Sequence, residues 1–288
     1  MSRVPAHAVL TDKQWGHLRK WVPAPAVTGR PITRSRRQLL DGIAWRVRTG
    51  SPWRFVPETA FGPWETVYGL FRTWQLEGIW PMLLKAILTF LDNAGRLTWD
   101  VSVDSTIVRA HQHAAGAAAR PVAGEPADHA IGKSRGGRTT KIHTVADNAQ
   151  VGLSMTMTAG QAGDSPQFRP LLERIRVSRP GPGRPRTRPG RVMADKAYTS
   201  RKNRAYLRRR GIQAVIPEKK DQRRNRQAKG RAGGRPPAFD REAYKDRNTV
   251  ERFFNRLKRF RAVATRYDKL AVRYEATVQV AMILDWKP

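Results

Sequence analysis

The chain has 288 residues, 40% of them hydrophobic and including 9 Trp and 9 Phe, enough for a sizeable core and incompatible with a disordered tail protein. Its 55 Lys and Arg against 23 Asp and Glu give a formal charge of +32, which calls for a polyanionic partner, nucleic acid first and an acidic membrane surface second. Cysteine is absent, which excludes disulfides and thiolate zinc sites.

Residues 1–96 read as a helical N-terminal domain. Thr11 is a candidate N-cap, with Trp15, Leu18 and Trp21 following at helical spacing until Pro23 and Pro25. A second helix is expected over 35–49, with Leu39, Leu40, Ile43 and Val47 on one face. Gly50, Pro52 and Pro57 break the chain, and two further helices are expected over 64–78 and 80–93. Four short helices with Arg outward suit a small DNA-binding bundle, with a purely structural cap as the blander reading. Trp45, Trp53, Phe55 and Trp64 read as core residues rather than base-stacking platforms. The apolar run 79–91 is too short to span a bilayer and contains Lys85, and Arg3, Pro5 and His7 interrupt any leader-like opening. No membrane partner is expected, and a cytoplasmic location is.

After Gly95 the period changes to two. Trp99, Val101 and Val103 alternate with Asp100, Ser102 and Asp104, as on a strand. A long Ala/Gly-rich loop is expected over 112–140, then strands at 141–146 and 151–158, a helix at 165–176 and a Pro/Gly/Arg linker at 178–190. A short buried strand at 191–195, a helix at 200–210 and a strand at 214–216 follow. Residues 219–235 read as a flexible basic arm, and one long helix is expected from 241 to about 263. Three meandering strands followed by crossovers predict an α/β fold over 97–288, a ribonuclease-H-like mixed sheet flanked by helices.

Tyr244, Arg247, Glu251 and Lys258 are spaced by 3, 4 and 7 residues, which on one helix places them within an arc of roughly 60°. Val250, Phe253, Phe254 and Leu257 form the adjacent apolar stripe. Taken alone, the row reads equally as a solvated charged face. Asp104 on the first strand's polar face and Asp195 at the end of the fourth change that balance, because those strands are neighbours in such a sheet. Three hard oxygen donors suit Mg²⁺ or Mn²⁺. His111, His113, His129 and His143 raise a weaker zinc reading. Asp147 and Asp164 read as turn residues.

With these residues in hand the chain resembles bacterial insertion-sequence transposases of the Asp-Asp-Glu class that carry a Tyr-Arg-Glu-Lys signature. The spacing of Tyr244, Arg247, Glu251 and Lys258 is similar to that signature. Asp104-Ser105-Thr106 with Val108-Arg109-Ala110-His111 resembles the first-acid block, and Ala194-Asp195-Lys196-Ala197-Tyr198 the second, with Ala197 where many relatives have Gly. LTDKQW, SPWRFVP and FRTW resemble the associated N-terminal domain. The resemblance implies metal-dependent cleavage at transposon ends and strand transfer into target DNA. Asp104, Asp195 and Glu251 would be the catalytic, metal-holding carboxylates for two Mg²⁺ or Mn²⁺ ions about 3.5–4 Å apart. Tyr244, Arg247 and Lys258 would contact DNA phosphates. The implied partners are double-stranded DNA, as terminal repeats and target, and a second copy of the chain when DNA-bound, with the protein nucleoid-associated in that state. A catalytically inactive DNA-binding protein, or a nuclease that cuts without joining, are the competing readings.

Overall fold

Two capping boxes open the first helices. Thr11 Oγ1 accepts from the Gln14 amide while Gln14 Oε1 accepts from the Thr11 amide, and Ser35 with Gln38 repeats the arrangement. Each pair satisfies donors that a helix start leaves open. In this computed structural model, which describes residues 9–24, 33–116, 122–179 and 181–287, they begin α1 (Asp12–Leu18) and α2 (Arg36–Thr49). α2 stops at Gly50, whose φ of 68° is left-handed; a Cβ there would also come within 3.0 Å of the Arg261 side chain, so glycine is required on both counts.

The remaining elements follow in chain order. α3 (Glu58–Phe61), α4 (Trp64–Leu76) and α5 (Ile79–Asn93) complete the N-terminal helices. β1 (Asp100–Ala110), β2 (Gly132–Ser134), β3 (Gly137–Asp147) and β4 (Val151–Ala159) come next, then α6 (Phe168–Glu173), β5 (Arg191–Ala194), α7 (Arg201–Arg209) and β6 (Gln213–Val215). The chain continues through α8 (Lys220–Ala228), α9 (Arg241–Lys245), α10 (Asn248–Leu257), α11 (Arg261–Ala264), β7 (Thr265–Arg266) and α12 (Ala271–Asp285).

The strands form a seven-stranded mixed sheet ordered β2-β3-β1-β5-β6, with β4 on β3 and β7 on β1. β1, β5 and β6 are mutually parallel, and β2 is antiparallel to β3. Leaving aside the short β2 and β7, the order β4-β3-β1-β5-β6 is the ribonuclease-H-like arrangement expected from the sequence. The register pairs Val101 with Val192 and Val103 with Ala194.

The chain divides into two compact units. The first comprises Met1–Leu88, Val108–Thr140 and Asn255–Pro288. Its core holds Ile43, Val47, Val67 and Phe71 together with Tyr274 and Val278 of α12, all fully buried. Several polar groups inside it are paired. Gln14 Nε2 donates to the Leu284 and Trp286 carbonyls, and Arg46 meets Asp268 at 3.3 Å. Arg266, with 0% exposure, donates to the carbonyls of Ala130, Asp268 and Lys269 and to Thr140 Oγ1, as a buried charge requires.

The second unit comprises Thr89–Ile107 and Lys141–Phe254. Val101, Val103, Ile142, Val145, Val192 and Met193 are buried in its sheet, and Phe168 and Leu171 cover it from α6. Asp147, expected as a turn residue, is the last residue of β3, just before the turn, and an anchor. It is fully buried and accepts from the amides of Thr98, Trp99 and Ala149 and from Thr98 Oγ1. Those bonds hold Trp99 at a φ of 62°, a conformation a bulky residue adopts only when its neighbours fix it.

Several expectations are corrected. The single helix over 241–263 is three pieces, α9, α10 and α11, because the amides of Arg247, Thr249 and Val250 bond three residues back, to Tyr244, Asp246 and Arg247, and so tighten the chain between α9 and α10. The basic stretch 219–235 is not a flexible arm. It forms α8 and a 3-10 turn at Gly230–Gly233, held by Arg226 paired with Glu218 at 2.8 Å and by Gln222 Nε2 donating to the Thr199 carbonyl. The 112–140 loop contains β2. Phe55 is 71% exposed, and Trp45, Trp53 and Trp64 are half-buried, so these four are not core residues. The opening residues 1–8, the stop at Pro25, loop residues 117–121 and linker residue Pro180 lie outside the described residues.

Candidate active site

Asp104 and Asp195 each follow the last paired position of adjacent parallel strands. Val103 pairs with Ala194, so Asp104, within β1, and Asp195, just past the end of β5, stand at the same level, about one strand spacing apart. Local bonding fixes both. The Ser105 amide donates to Asp104 Oδ1 at 2.8 Å. Asp195 caps the 3-10 turn Lys196–Tyr198, its Oδ1 accepting from the Ala197 amide at 2.7 Å.

Glu251 lies in the first turn of α10. The buried stripe Val250, Phe253, Phe254 and Leu257 is as expected, and it leaves Glu251 exposed at the edge. Arg247 joins the acids. Its Nη1 donates to Asp104 Oδ2 at 3.0 Å and its Nη2 to Glu251 Oε1. Tyr244 lies beside it, the guanidinium 5.9 Å from the ring, and packs against the buried Met193, Val215 and Ala243. Lys258 belongs to the other compact unit; it is half-buried, and that burial lowers its ammonium pKa.

The electrostatics register the crowding. Burial pushes the Asp104 carboxyl above the ordinary range. The Ser105 amide and Arg247 pull it back, and Asp195 and Glu251 raise it further. Burial also raises Tyr244, with Arg247 opposing and the three acids adding to the shift. Tyr198, 1% exposed, is held protonated by burial and then by Asp104, Asp164 and Asp195.

The sequence reading missed a second layer behind Asp104. Asp164, taken for a turn residue alone, accepts from Ser105 Oγ at 2.8 Å and pairs with Lys141 Nζ at 3.0 Å. Lys141 also donates to the Ala162 carbonyl at 2.7 Å. Next to them His143, fully buried, contacts Thr158 Oγ1 through Nε2 at 2.8 Å. Burial drives its pKa down to about 4, with Asp164 opposing and Lys141 assisting, so it is neutral near pH 7. The available signal was Lys141 and His143 at alternate positions of a strand otherwise filled with core residues. Among the described residues no histidine cluster builds a zinc site: His129 pairs with Glu125 at 2.6 Å, and His111 packs edge-on against His113 and tilted against Tyr267.

Among the described residues no three His, Cys, Asp or Glu side chains are arranged to hold one metal ion. The donor set nonetheless suits a hard divalent cation. It consists of carboxylate oxygens close enough that Asp195 and Glu251 add to the burial-driven rise at Asp104, and Arg247 among them meets both Asp104 and Glu251.

Comparison with known proteins places the chain in a family. Residues 96–286 match the family described as "Transposase DDE domain", and residues 10–84 match one described as "Putative transposase of IS4/5 family". The "Putative transposase for insertion sequence element IS6501" of Brucella ovis is 30% identical over 148 residues, 51% of this chain and 98% of that protein. An uncharacterized protein of Sinorhizobium fredii is 38% identical over 108 residues, 38% of this chain and 82% of that one. The Mos1 transposase paired-end complex has a TM-score of 0.24 and 12% identity over 80% of each chain. The two family matches and the insertion-sequence relative define a DNA transposase. The chain belongs to the DDE-domain transposase family, with an N-terminal segment of the IS4/5 type, a family that implies divalent-metal dependence. Among the described residues no helix is long and apolar enough to cross a membrane.

Proposed function

We propose that this protein cleaves DNA at the ends of its insertion element and joins those ends to target DNA, with Asp104, Asp195 and Glu251 as the metal-holding carboxylates. The observation that carries the reading is the junction of Asp104, Arg247 and Glu251 beside Asp195, three anions and a guanidinium drawn from β1, the end of β5 and α10. A pair of Mg²⁺ or Mn²⁺ ions would supply activation of the attacking oxygen and neutralisation of charge on the phosphate.

The chain's own groups divide the remaining work. Asp104 and Asp195, fixed by the Ser105 and Ala197 amides, present oxygens in a set orientation. Glu251, exposed on its helix edge, completes the set from the opposite element. Arg247 is suited to exchange its carboxylates for a phosphate, since a guanidinium fork matches either anion. Tyr244 offers a hydroxyl to a phosphate oxygen. Lys258 supplies a cation whose partial burial strengthens its field. Asp164, Lys141 and Ser105 keep the Asp104 segment of β1 in place without touching substrate.

In this reading residues 1–96 recognise the terminal repeats, 97–288 supply chemistry, and a homodimer holds two ends. The charge of +32 supports a polyanionic substrate and a cytoplasmic, nucleoid-associated location. The test is incubation with terminal-repeat DNA, target plasmid and Mg²⁺. Cut and joined products support it. Cut ends without joining would indicate a nuclease, and binding without cutting an inactive DNA-binding protein.

A further inference from the structure

The first compact unit contains a cavity of about 780 Å³ whose lining includes none of Asp104, Asp195, Tyr244, Arg247, Glu251 and Lys258. That size lies within the range of about 300–1,000 Å³ that small flat ligands occupy. One wall is aromatic. The Trp53 ring lies 5.2 Å from Tyr68 and 5.0 Å from Phe71, and Trp64 carries Arg54 at 5.6 Å from its ring. The other wall comes from a distant stretch of sequence, where His111 lies 5.1 Å from Tyr267. Trp53 and Trp64 are half-buried rather than sealed in a core. They owe their place to the Pro-bounded 3-10 turn Trp53–Phe55 and to Pro63 at the start of α4.

The lining is also cationic. Arg46, Arg54, Lys269 and Arg273 face a single carboxylate, Asp268, and that carboxylate is already engaged by Arg46 at 3.3 Å and by Thr277 Oγ1 at 3.0 Å. Arg273 donates to the Tyr68 hydroxyl at 2.8 Å, yet its buried Nε has no hydrogen-bond partner, and neither has the Nε of Arg46, whose side chain is only 4% exposed. Flat π faces with surplus cations around them suit an anion that carries a flat ring. A peptide or an apolar metabolite would use the rings and leave the cations unmatched, whereas duplex DNA would meet the cations and leave the rings idle.

We propose that this cavity binds an unstacked nucleotide of single-stranded DNA, its base against Trp53 and Trp64 and its phosphates on Arg54, Lys269 and Arg273. The proposal rests on the reading of DNA as substrate, and it locates a single-strand site in the unit that does not carry Asp104. Stacking of one base on an aromatic side chain is worth about 5- to 150-fold in affinity.

The test uses the full-length protein and two DNAs of equal duplex length, one blunt and one with a five-nucleotide single-stranded overhang containing 5-iododeoxyuridine. Near-ultraviolet irradiation and mass mapping should place the cross-link on Trp53, Trp64, Tyr68 or Tyr267. Trp64→Ala and Arg54→Ala should each weaken overhang binding about 5-fold or more while blunt-duplex binding is unchanged, and Trp64→Phe, which keeps a stacking face, should restore most of it. Equal loss on both DNAs, full binding in Trp64→Ala, or a cross-link confined to other residues would overturn the proposal while leaving DNA as substrate. Failure to bind either DNA would overturn both.

Discussion

Glu251→Gln separates the role of this carboxylate in chemistry from any role in the fold. In the structure the Glu251 side chain is 47% exposed and pairs with Arg247, which also meets Asp104 at 3.0 Å. A solvent-screened pair of this kind contributes about 0–1 kcal/mol. The variant should therefore melt within about 4 °C of the wild type, given a chain of this size. Glutamine retains shape and hydrogen bonding but removes the charge that faces a cation. Removing one preorganised charge-stabilising group costs about 10²–10³-fold in a reaction rate, so cleavage should fall by at least that much. DNA binding should be kept or rise slightly, since one repulsive anion near phosphate is gone. The assay is strand cleavage of terminal-repeat DNA in Mg²⁺, with thermal melting and filter binding on the same preparation. Cleavage at the wild-type rate would refute the assignment. A loss of activity accompanied by a much larger fall in melting temperature would show Glu251 to be structural.

Other outcomes follow from the same structure. Because the fold raises the Asp104 pKa, ionised Asp104 costs stability; that cost is absent below its unfolded value and fully present above the folded one. The gain in melting temperature given by Mg²⁺ should therefore grow as pH rises through the raised pKa, and Asp104→Asn should remove the growth; a gain independent of pH in the wild type would contradict it. Asp147→Ala strips acceptors from the Thr98, Trp99 and Ala149 amides and should destabilise the protein by about 2–5 kcal/mol in denaturant titration, where a change under 1 kcal/mol would count against it. Deleting 271–288 removes the partners of Gln14 and much of the core around α2, so hydrogen exchange in α1 and α2 should accelerate; unchanged protection would contradict this. Affinity for DNA should drop about 10³-fold or more between 50 and 200 mM salt if several phosphates are neutralised, and a flat response would argue against the charge reading.

The sequence made some features legible and concealed others, for physical reasons. The apolar period and Gly50 identified α2 almost to the residue, because one face and one terminating glycine act locally. Alternation along Trp99 to Asp104 located β1, and strand adjacency brought Asp104 beside Asp195. α12 was missed because it is buried on nearly every side, which erases the amphipathic stripe that marks a surface helix. α8 was missed for the opposite reason: it has no buried residue and is held by Glu218, Arg226 and Gln222 rather than by an apolar face. The break between α9 and α10 depends on three-residue backbone bonds that side-chain periodicity does not report. At the site, the Tyr-Arg-Glu spacing drew attention to Arg247, but its contact with Asp104 spans 143 positions. The link from Asp164 to Ser105 and Lys141 likewise arises only when β1, β3 and the turn after β4 come together.

The central claim is that Asp104, Asp195 and Glu251 hold the divalent metal. Anomalous diffraction from crystals grown with Mn²⁺ and terminal-repeat DNA measures it directly. The account predicts manganese peaks within about 2–2.5 Å of the Asp104 and Asp195 carboxylate oxygens, with Glu251 completing the coordination and Arg247 moved onto phosphate. Manganese bound elsewhere, with Arg247 still joining Asp104 to Glu251, would contradict it.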